Sequence, residues 1–331
     1  MKLPTLCAVA LCGVLAGCAA TPGGTAADER ESLHAAPDGV EIDHAALARR
    51  IDAADVIYLG EKHGNRFHHA AQLRVVRELM ARGKRPVIAF EVVTLPETSE
   101  LVSFVETPPH APAGGVDPAA RLREALGWSA DEYRWRDYGP LFEYARANNL
   151  RVAGIDLPRS LRRRISRVGV DGLIALERGQ LHDSGFVDAD YEQLMHERLN
   201  AAHCGFAPPA LRTRLYETWV ARNDAMAAAI AALAAEQPGQ PIVVIVGSEH
   251  AANNMGVYER VAHIAPTLRQ LNIGFVGRMP DTDVSAAFAP VERGGRRFAP
   301  AHEVVWLTSN GGMDAAASCA GLEQHMKKMS K

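Results

Sequence analysis

The chain of 331 residues has five cysteines and no surplus of either charge, with 36 Lys+Arg against 39 Asp+Glu and a formal net charge of −3. Without a basic excess there is no electrostatic footprint for nucleic acid. No CxxC, HExxH or CxxCH occurs, which excludes the common closed zinc motifs, the zincin helix and covalent c-type haem attachment. There is no glycine-rich phosphate cradle and no GxSxG nucleophile elbow. No apolar run is long enough to span a bilayer as a helix, and no internal repeat is visible.

What is present begins at the amino end. Lys2, a short apolar run and "LAGC" at Leu15 to Cys18 read as a lipoprotein signal peptide over residues 1–17. Cleavage before Cys18 would leave that cysteine lipidated and the protein anchored to a membrane without crossing it. The alternative is an ordinary secretory signal with a chance cysteine. Ala19, rather than an aspartate, follows Cys18 and points to the outer membrane, facing the periplasm. Loss of residues 1–17 removes one lysine and brings the net charge to −4. Cys7 and Cys12 leave with the signal, so Cys204 and Cys319 remain as thiols in an oxidising compartment, either paired in a disulfide or both free. Residues 18–40, rich in Ala, Gly, Pro, Thr and charge, read as a flexible tether, and 41–331 as a single domain.

Within that domain, nearly continuous apolar runs at Asp55 to Glu61, Pro86 to Val93, Leu150 to Asp156, Pro241 to Ser248 and Asn272 to Met279 predict strands buried on both faces. Helical periodicity fills the intervals, at Phe67 to Arg82, Tyr138 to Asn148 and about Leu211 to Glu236. Glu303 to Leu307 adds a late strand, expected at an edge. The predicted class is α/β, a mainly parallel central sheet covered by helices on both faces. In such sheets the functional crevice lies outside the carboxyl ends of the strands. Glu61 and His63, Glu91, Asp156, and Glu249 with His250 follow or end four different strands, so parallel neighbouring strands would bring them to one edge.

In "GEKHGNRFHHAAQ" the glycines Gly60 and Gly64 permit a tight turn and Asn65 is a helix N-cap. Helical spacing places His68 with Gln72 on one face and His69 with Leu73, Val76 and Met80 on another. His63 is then the best ligand candidate and His68 an intermediate one, while His69 is either a ligand or a satisfied core histidine. His250, in "VGSEHAANN", could be a metal or haem ligand, an acid or base, or a turn residue. Glu61, His63, Glu91 and His250 together would suit zinc, manganese or cobalt. On that reading a glutamate, Glu61 or Glu91, is the general base for a metal-bound water.

Five stretches, "YLGEKHGNRFHHAAQ", "RPVIAFEVV", "WRDYGPLFEYARANNLRVAGIDLPRSLRRRISRVG", "ARNDAMAAAIA" and "VVIVGSEHAANNMGVYERVA", resemble in order and spacing the ChaN-like haem-binding uptake lipoproteins. Those are related to the Tiki peptidases and, more distantly, to erythromycin-esterase-like proteins. "HCG" at His203 to Gly205 and "SCAGL" at Ser318 to Leu322 look like the family's cysteine pair. The resemblance implies a membrane-tethered haem-binding protein of haem or iron uptake, with an envelope partner and a possible homodimer sharing haem across a surface. Its implied ligand candidates are His63, His68, His69, His250, Tyr58 and Tyr258, with Arg159 for a propionate. Arg159 also belongs to a basic cluster that reads equally as a solvated helix face. Four positions depart from the family pattern: Gly64 and Asn223 replace aspartates, and Ser248 and Glu249 replace the middle of GNGH. They remove acids from the expected crevice and add one, Glu249. The alternative from a different class is a metal-dependent hydrolase of the Tiki or esterase kind.

Overall fold

A computed structural model of the chain describes residues 31–108, 117–129, 133–205, 207–279 and 282–311. The apolar runs become strands: β1 (Ser32–Ala35), β2 (Val40–Ile42), β3 (Val56–Glu61), β4 (Val87–Thr94), β5 (Val152–Asp156), β6 (Ile242–Gly247), β7 (Gln270–Arg278), β8 (Glu292–Arg293), β9 (Arg296–Arg297) and β10 (Val304–Ser309). The helices are α1 (His44–Ala53), α2 (Arg66–Ala81), α3 (Thr98–Glu106), α4 (Pro118–Ala125), α5 (Tyr133–Ala147), α6 (Arg159–Val168), α7 (Ala175–Arg178), α8 (Ala189–Ala202), α9 (Pro209–Glu236) and α10 (Val257–Ile264). Among the described residues no helix is long and apolar enough to cross a membrane.

Eight strands form one sheet in the order β2-β1-β10-β7-β3-β6-β4-β5, and β8 pairs only with β9. From β10 to β5 every neighbouring pair is parallel; β1 and β2 add an antiparallel margin. Successive side chains of a strand point to opposite faces, and the core divides accordingly. Ile57, Leu59, Ile88, Phe90, Val243 and Ile245 pack with α2, α3 and α5 on one side. Val56, Tyr58, Val87, Ala89, Val244 and Val246 pack with α9 and α10 on the other. The covered, mainly parallel sheet expected from the sequence is the observed one.

Two expectations are corrected. The strand at the chain's carboxyl end is not an edge: β10 lies inside the sheet, between β7 and β1, because residues 32–35 return to pair with it from Ser32↔Leu307 to Ala35↔Val304. The same pairing shortens the tether read over residues 18–40. Leu33 and Ala35, alternate residues of β1, are buried, a pattern too short to stand out in a segment rich in Gly, Pro and charge.

The order β3-β6-β4-β5 makes the carboxyl ends that carry Glu61, the turn to His250, Glu91 and Asp156 mutual neighbours. Beyond β6 the chain turns tightly before α10. The turn closes at Gly256, with φ 61° and ψ −117°, where a Cβ would lie 2.3 Å from the His250 carbonyl oxygen. Gly256→Ala combines a disfavoured backbone region with a backbone clash and is expected to destabilise the fold by about 1–3 kcal/mol. Urea unfolding checks this, and an unchanged midpoint would refute it.

Candidate functional site

Glu61 ends β3 with its carboxylate buried, and three side chains hydrogen-bond it while a fourth lies close. His63 Nδ1 lies 2.8 Å from Oε1, and Gln72 Nε2 donates to Oε2 at 2.7 Å. His69 Nδ1 approaches Oε2 at 3.2 Å, and the Tyr138 hydroxyl donates to Oε1. An ionised carboxylate has about four lone-pair sites, and hydrogen bonds occupy three of them here. Burial would raise the Glu61 pKa, but His69, His63 and Tyr138 together hold it below the usual range.

The helix faces differ from the sequence expectation. His69, not His68, joins Gln72, with Nδ1 3.0 Å from Gln72 Oε1; at 3 % exposed it fits the core-histidine reading and is not an accessible ligand. His68 does not face the crevice mouth. It is buried, its Nδ1 accepts the Lys62 amide at 2.9 Å, and Asn65 Nδ2 meets its Nε2 at 3.1 Å. Burial pushes its pKa down to about 4. His68 therefore pins the turn that Asn65 caps by accepting from the Phe67 amide.

Glu91 rises from an irregular stretch of β4, where pairing with β5 shifts between Phe90 and Thr94. Its Oε1 accepts from Arg222 at 2.5 Å and its Oε2 from the Gly247 amide at 2.7 Å. Arg222, on α9, also donates to both oxygens of Asp156, with NH2 2.8 Å from Oδ2, and Arg162 adds a 2.6 Å bond to Asp156. One guanidinium thus joins the ends of β4 and β5. Burial would raise the Glu91 pKa, but the Arg222 and His63 cations and the Gly247 amide hold it far below the usual range.

The two remaining imidazoles are in opposite states. His250 stacks on Trp219 with ring centroids 4.0 Å apart, and its Nδ1 lies 2.9 Å from Asn223 Oδ1. Asn223 Nδ2 donates to the Trp219 carbonyl, so its Oδ1 faces the ring and His250 carries its proton on Nδ1. Nε2 is left as a lone pair aimed at Glu91 Oε1, 3.6 Å away. Burial, helped by Arg222, pushes the His250 pKa down to about 3. His63 has a half-exposed side chain between Glu61 and Glu91, 4.0 Å from the latter. Burial would lower its pKa, but both carboxylates outweigh that and raise it to about 9.

Glu61, His63, Glu91 and His250 therefore meet at one edge, but not as a metal cage. Among the described residues no group of three or more His, Cys, Asp or Glu could hold an ion. The Arg222 cation already neutralises Glu91, and His63, Gln72 and Tyr138 already engage Glu61. Glu249 adds no acid to the crevice, since it is exposed and turns outward to Arg198 at 3.3 Å. Tyr58 is wholly buried and donates to Gln270 at 2.7 Å, and Tyr258 packs on its ring. Gln270 opens β7, so both tyrosines lie away from the carboxyl edge and neither is a crevice ligand. Arg159 pairs with Glu97 at 2.6 Å, beside the crevice rather than in it. Cys18 and Cys319 lie outside the described residues; Cys204 follows α8 with φ 55°.

Sequence reasoning missed Tyr138, whose only sign was its place in "WRDYGPLF", and Tyr133, which is 42 % exposed. The Tyr133 ring would meet a Cβ on Gly64 at 3.8 Å, which sets it beside the turn that carries His63.

A parallel α/β sheet with a charged crevice at its carboxyl edge defines the class. The chain belongs to the family described as "Haem-binding uptake, Tiki superfamily, ChaN", whose profile matches residues 47–261. ChaN of Campylobacter jejuni, solved with cofacially bound haem, is similar at a TM-score of 0.61 and 16% identity, covering 85% of this chain and 97% of that one. The erythromycin esterase EreC gives 0.46 and 13%, covering 86% and 98%. A Bacillus cereus protein gives 0.44 and 12%, covering 80% and 90%. No curated protein matches.

The imidazoles set opposed pH dependences. His63 binds its proton more tightly in the folded chain, so its contribution to stability is whole below the ordinary pKa of 6.5 and is lost as pH rises through about 9. His250 contributes fully above 6.5, and its contribution is lost as pH falls toward about 3. Imidazole NMR is expected to show His63 titrating near 9 and His250 neutral throughout the folded range, with Glu61→Gln returning His63 toward 6.5. A His63 midpoint below 7 in the unaltered chain would contradict the charge assignment.

Proposed function

We propose that the chain binds haem at the mouth of the crevice, as a lipoprotein tethered to the outer membrane and facing the periplasm, in haem or iron uptake. Family membership supports the ligand, and "LAGC" with Cys18 supports the tether. Haem requires an axial ligand, an apolar contact and cations for its propionates. The interior of the crevice does not meet these needs, because it is filled with paired charge. The mouth does. The observation that carries the proposal is the exposed Tyr133 beside the Gly64 turn, next to half-exposed His63.

There the Tyr133 phenol would ligate iron, since His63 keeps its proton at neutral pH. Phe67, in the first turn of α2, supplies apolar surface. Arg66 supplies an exposed cation, while Arg136 is paired with Asp137 at 2.6 Å and reaches the Gly64 carbonyl at 3.4 Å, which steadies the turn. The C. jejuni relative is described as binding haem cofacially, and the same arrangement here would join two copies mouth to mouth, as an open site completed by a symmetric partner. The stretches "HCG" and "SCAGL", which look like the family's cysteine pair, support pairing of Cys204 with Cys319.

His250 favours a second reading. A neutral imidazole oriented by Asn223 and aimed at the Glu91–Arg222 pair has the form of a general base, so hydrolysis there would proceed without zinc, manganese or cobalt. Ester turnover that survives chelation and is lost in His250→Ala would establish it.

A haemin titration of the full-length chain, followed by absorbance, is expected to saturate with a shifted Soret band. Tyr133→Phe should weaken binding at least tenfold, about 1.4 kcal/mol, while His250→Ala should leave it unchanged. Binding that never saturates would end the haem reading, and loss in His250→Ala alone would move the site inside.

A further inference from the structure

Next to the crevice, on the outer side of α6, five arginines line a surface cavity of about 550 Å³: Arg159, Arg162, Arg163 and Arg167, with Arg222 from α9. Three carboxylates serve them. Arg159 pairs with Glu97, Arg162 with Asp156, and Arg222 with Asp156 and Glu91. Arg163 and Arg167 have no ion pair among the described residues, so two positive charges stand in excess. Arg159, Arg163 and Arg167 are spaced four apart on one helix face, where like charges repel. Arg159 also holds a buried guanidinium nitrogen, NH2, without a hydrogen-bond partner.

The rest of the lining adds no negative charge. Ser166 and Thr218 donate their hydroxyl protons to the carbonyls of Arg162 and Arg214. A solvated basic helix face needs neither a concavity nor an arginine contributed by a second helix. The Arg159 nitrogen is shut off from the cavity as it is from water, and the free charges there are those of Arg163 and Arg167.

We propose that this cavity binds a phosphate group, carried by a soluble phosphate compound or by a lipid headgroup. One phosphate matches the two excess charges with nearly two of its own and offers three strong acceptor oxygens, which guanidinium forks engage in pairs. Carboxylates would need two groups to supply the same charge. Arg222 lies on the wall shared with the crevice, so the bound group sits one guanidinium away from Glu91.

Calorimetric titration of the full-length chain in a non-ionic detergent with inorganic pyrophosphate tests the site, with citrate at matched ionic strength as the carboxylate control. The expected result is saturable pyrophosphate binding, at least tenfold tighter than citrate. It should weaken at least tenfold in Arg163→Ala/Arg167→Ala, whose thermal midpoint stays unchanged because both side chains are exposed. Arg163→Lys/Arg167→Lys, which keeps both charges but loses the forks, should weaken it as well. Competition by micelles doped with phosphatidylglycerol, and not with phosphatidylcholine, supports the proposal and names a lipid headgroup; saturable pyrophosphate binding without that competition supports it and names a soluble phosphate. No saturable binding, full binding in the double variant, or citrate equal to pyrophosphate would overturn it.

Discussion

The Arg222 guanidinium is the interaction on which the carboxyl edge depends. It reaches Glu91 at 2.5 Å and Asp156 at 2.8 Å and so ties α9 to β4 and β5, two strands whose own ladder is broken between Phe90 and Thr94. Removing one partner of a buried pair costs about 3–5 kcal/mol, because it leaves the other charge uncompensated. Here the loss would be shared by two carboxylates. The same helix carries Asn223 and Trp219, so the residue that neutralises Glu91 also fixes the element that orients and stacks His250.

From that arrangement follows the separation of the two imidazoles. They approach the same carboxylate, His63 at 4.0 Å and His250 at 3.6 Å, yet one is held protonated and the other neutral. Distance to Glu91 does not decide this. His63 has a second carboxylate, Glu61, on its other nitrogen and an open side to water. His250 has a neutral amide on its other nitrogen, an indole against its face and a guanidinium nearby. Opposed charge states in one crevice are the usual preparation for acid–base chemistry.

Much of this was legible in the sequence because it depends on strand ends. Buried parallel strands are continuous apolar runs, and the residue after such a run lies at the carboxyl edge whatever the details of packing. Glu61, Glu91, Asp156 and His250 could therefore be gathered from spacing alone. What could not be read depends on side-chain direction or on distant pairing. His69 looked like a core residue because helical spacing gives faces but not what lies opposite them; only the fold shows that the end of β3 brings Glu61 there. Tyr138 and Tyr133 come from α5, whose position over the crevice is set by packing against α2 and α3. β1 acquires its place from β10, more than two hundred residues away, and four residues of ordinary composition do not announce that.

The departures from the family pattern gain a physical meaning in this frame. An aspartate at position 223 would set a negative charge 2.9 Å from His250 Nδ1 and favour the protonated ring; Asn223 keeps the same hydrogen bond and leaves the ring neutral. An acid at position 64 would stand at the mouth, where Gly64, with φ +83°, leaves the approach to Tyr133 and His63 open. Glu249 compensates for neither, because it points to Arg198 in solvent. The substitutions thus lower negative charge at both the floor and the mouth without disturbing the Arg222 clamp that holds the edge together. A crevice of this composition keeps its scaffold while offering fewer of the free carboxylate oxygens that a hard divalent cation needs, and an exposed phenol, Tyr133, stands at its mouth.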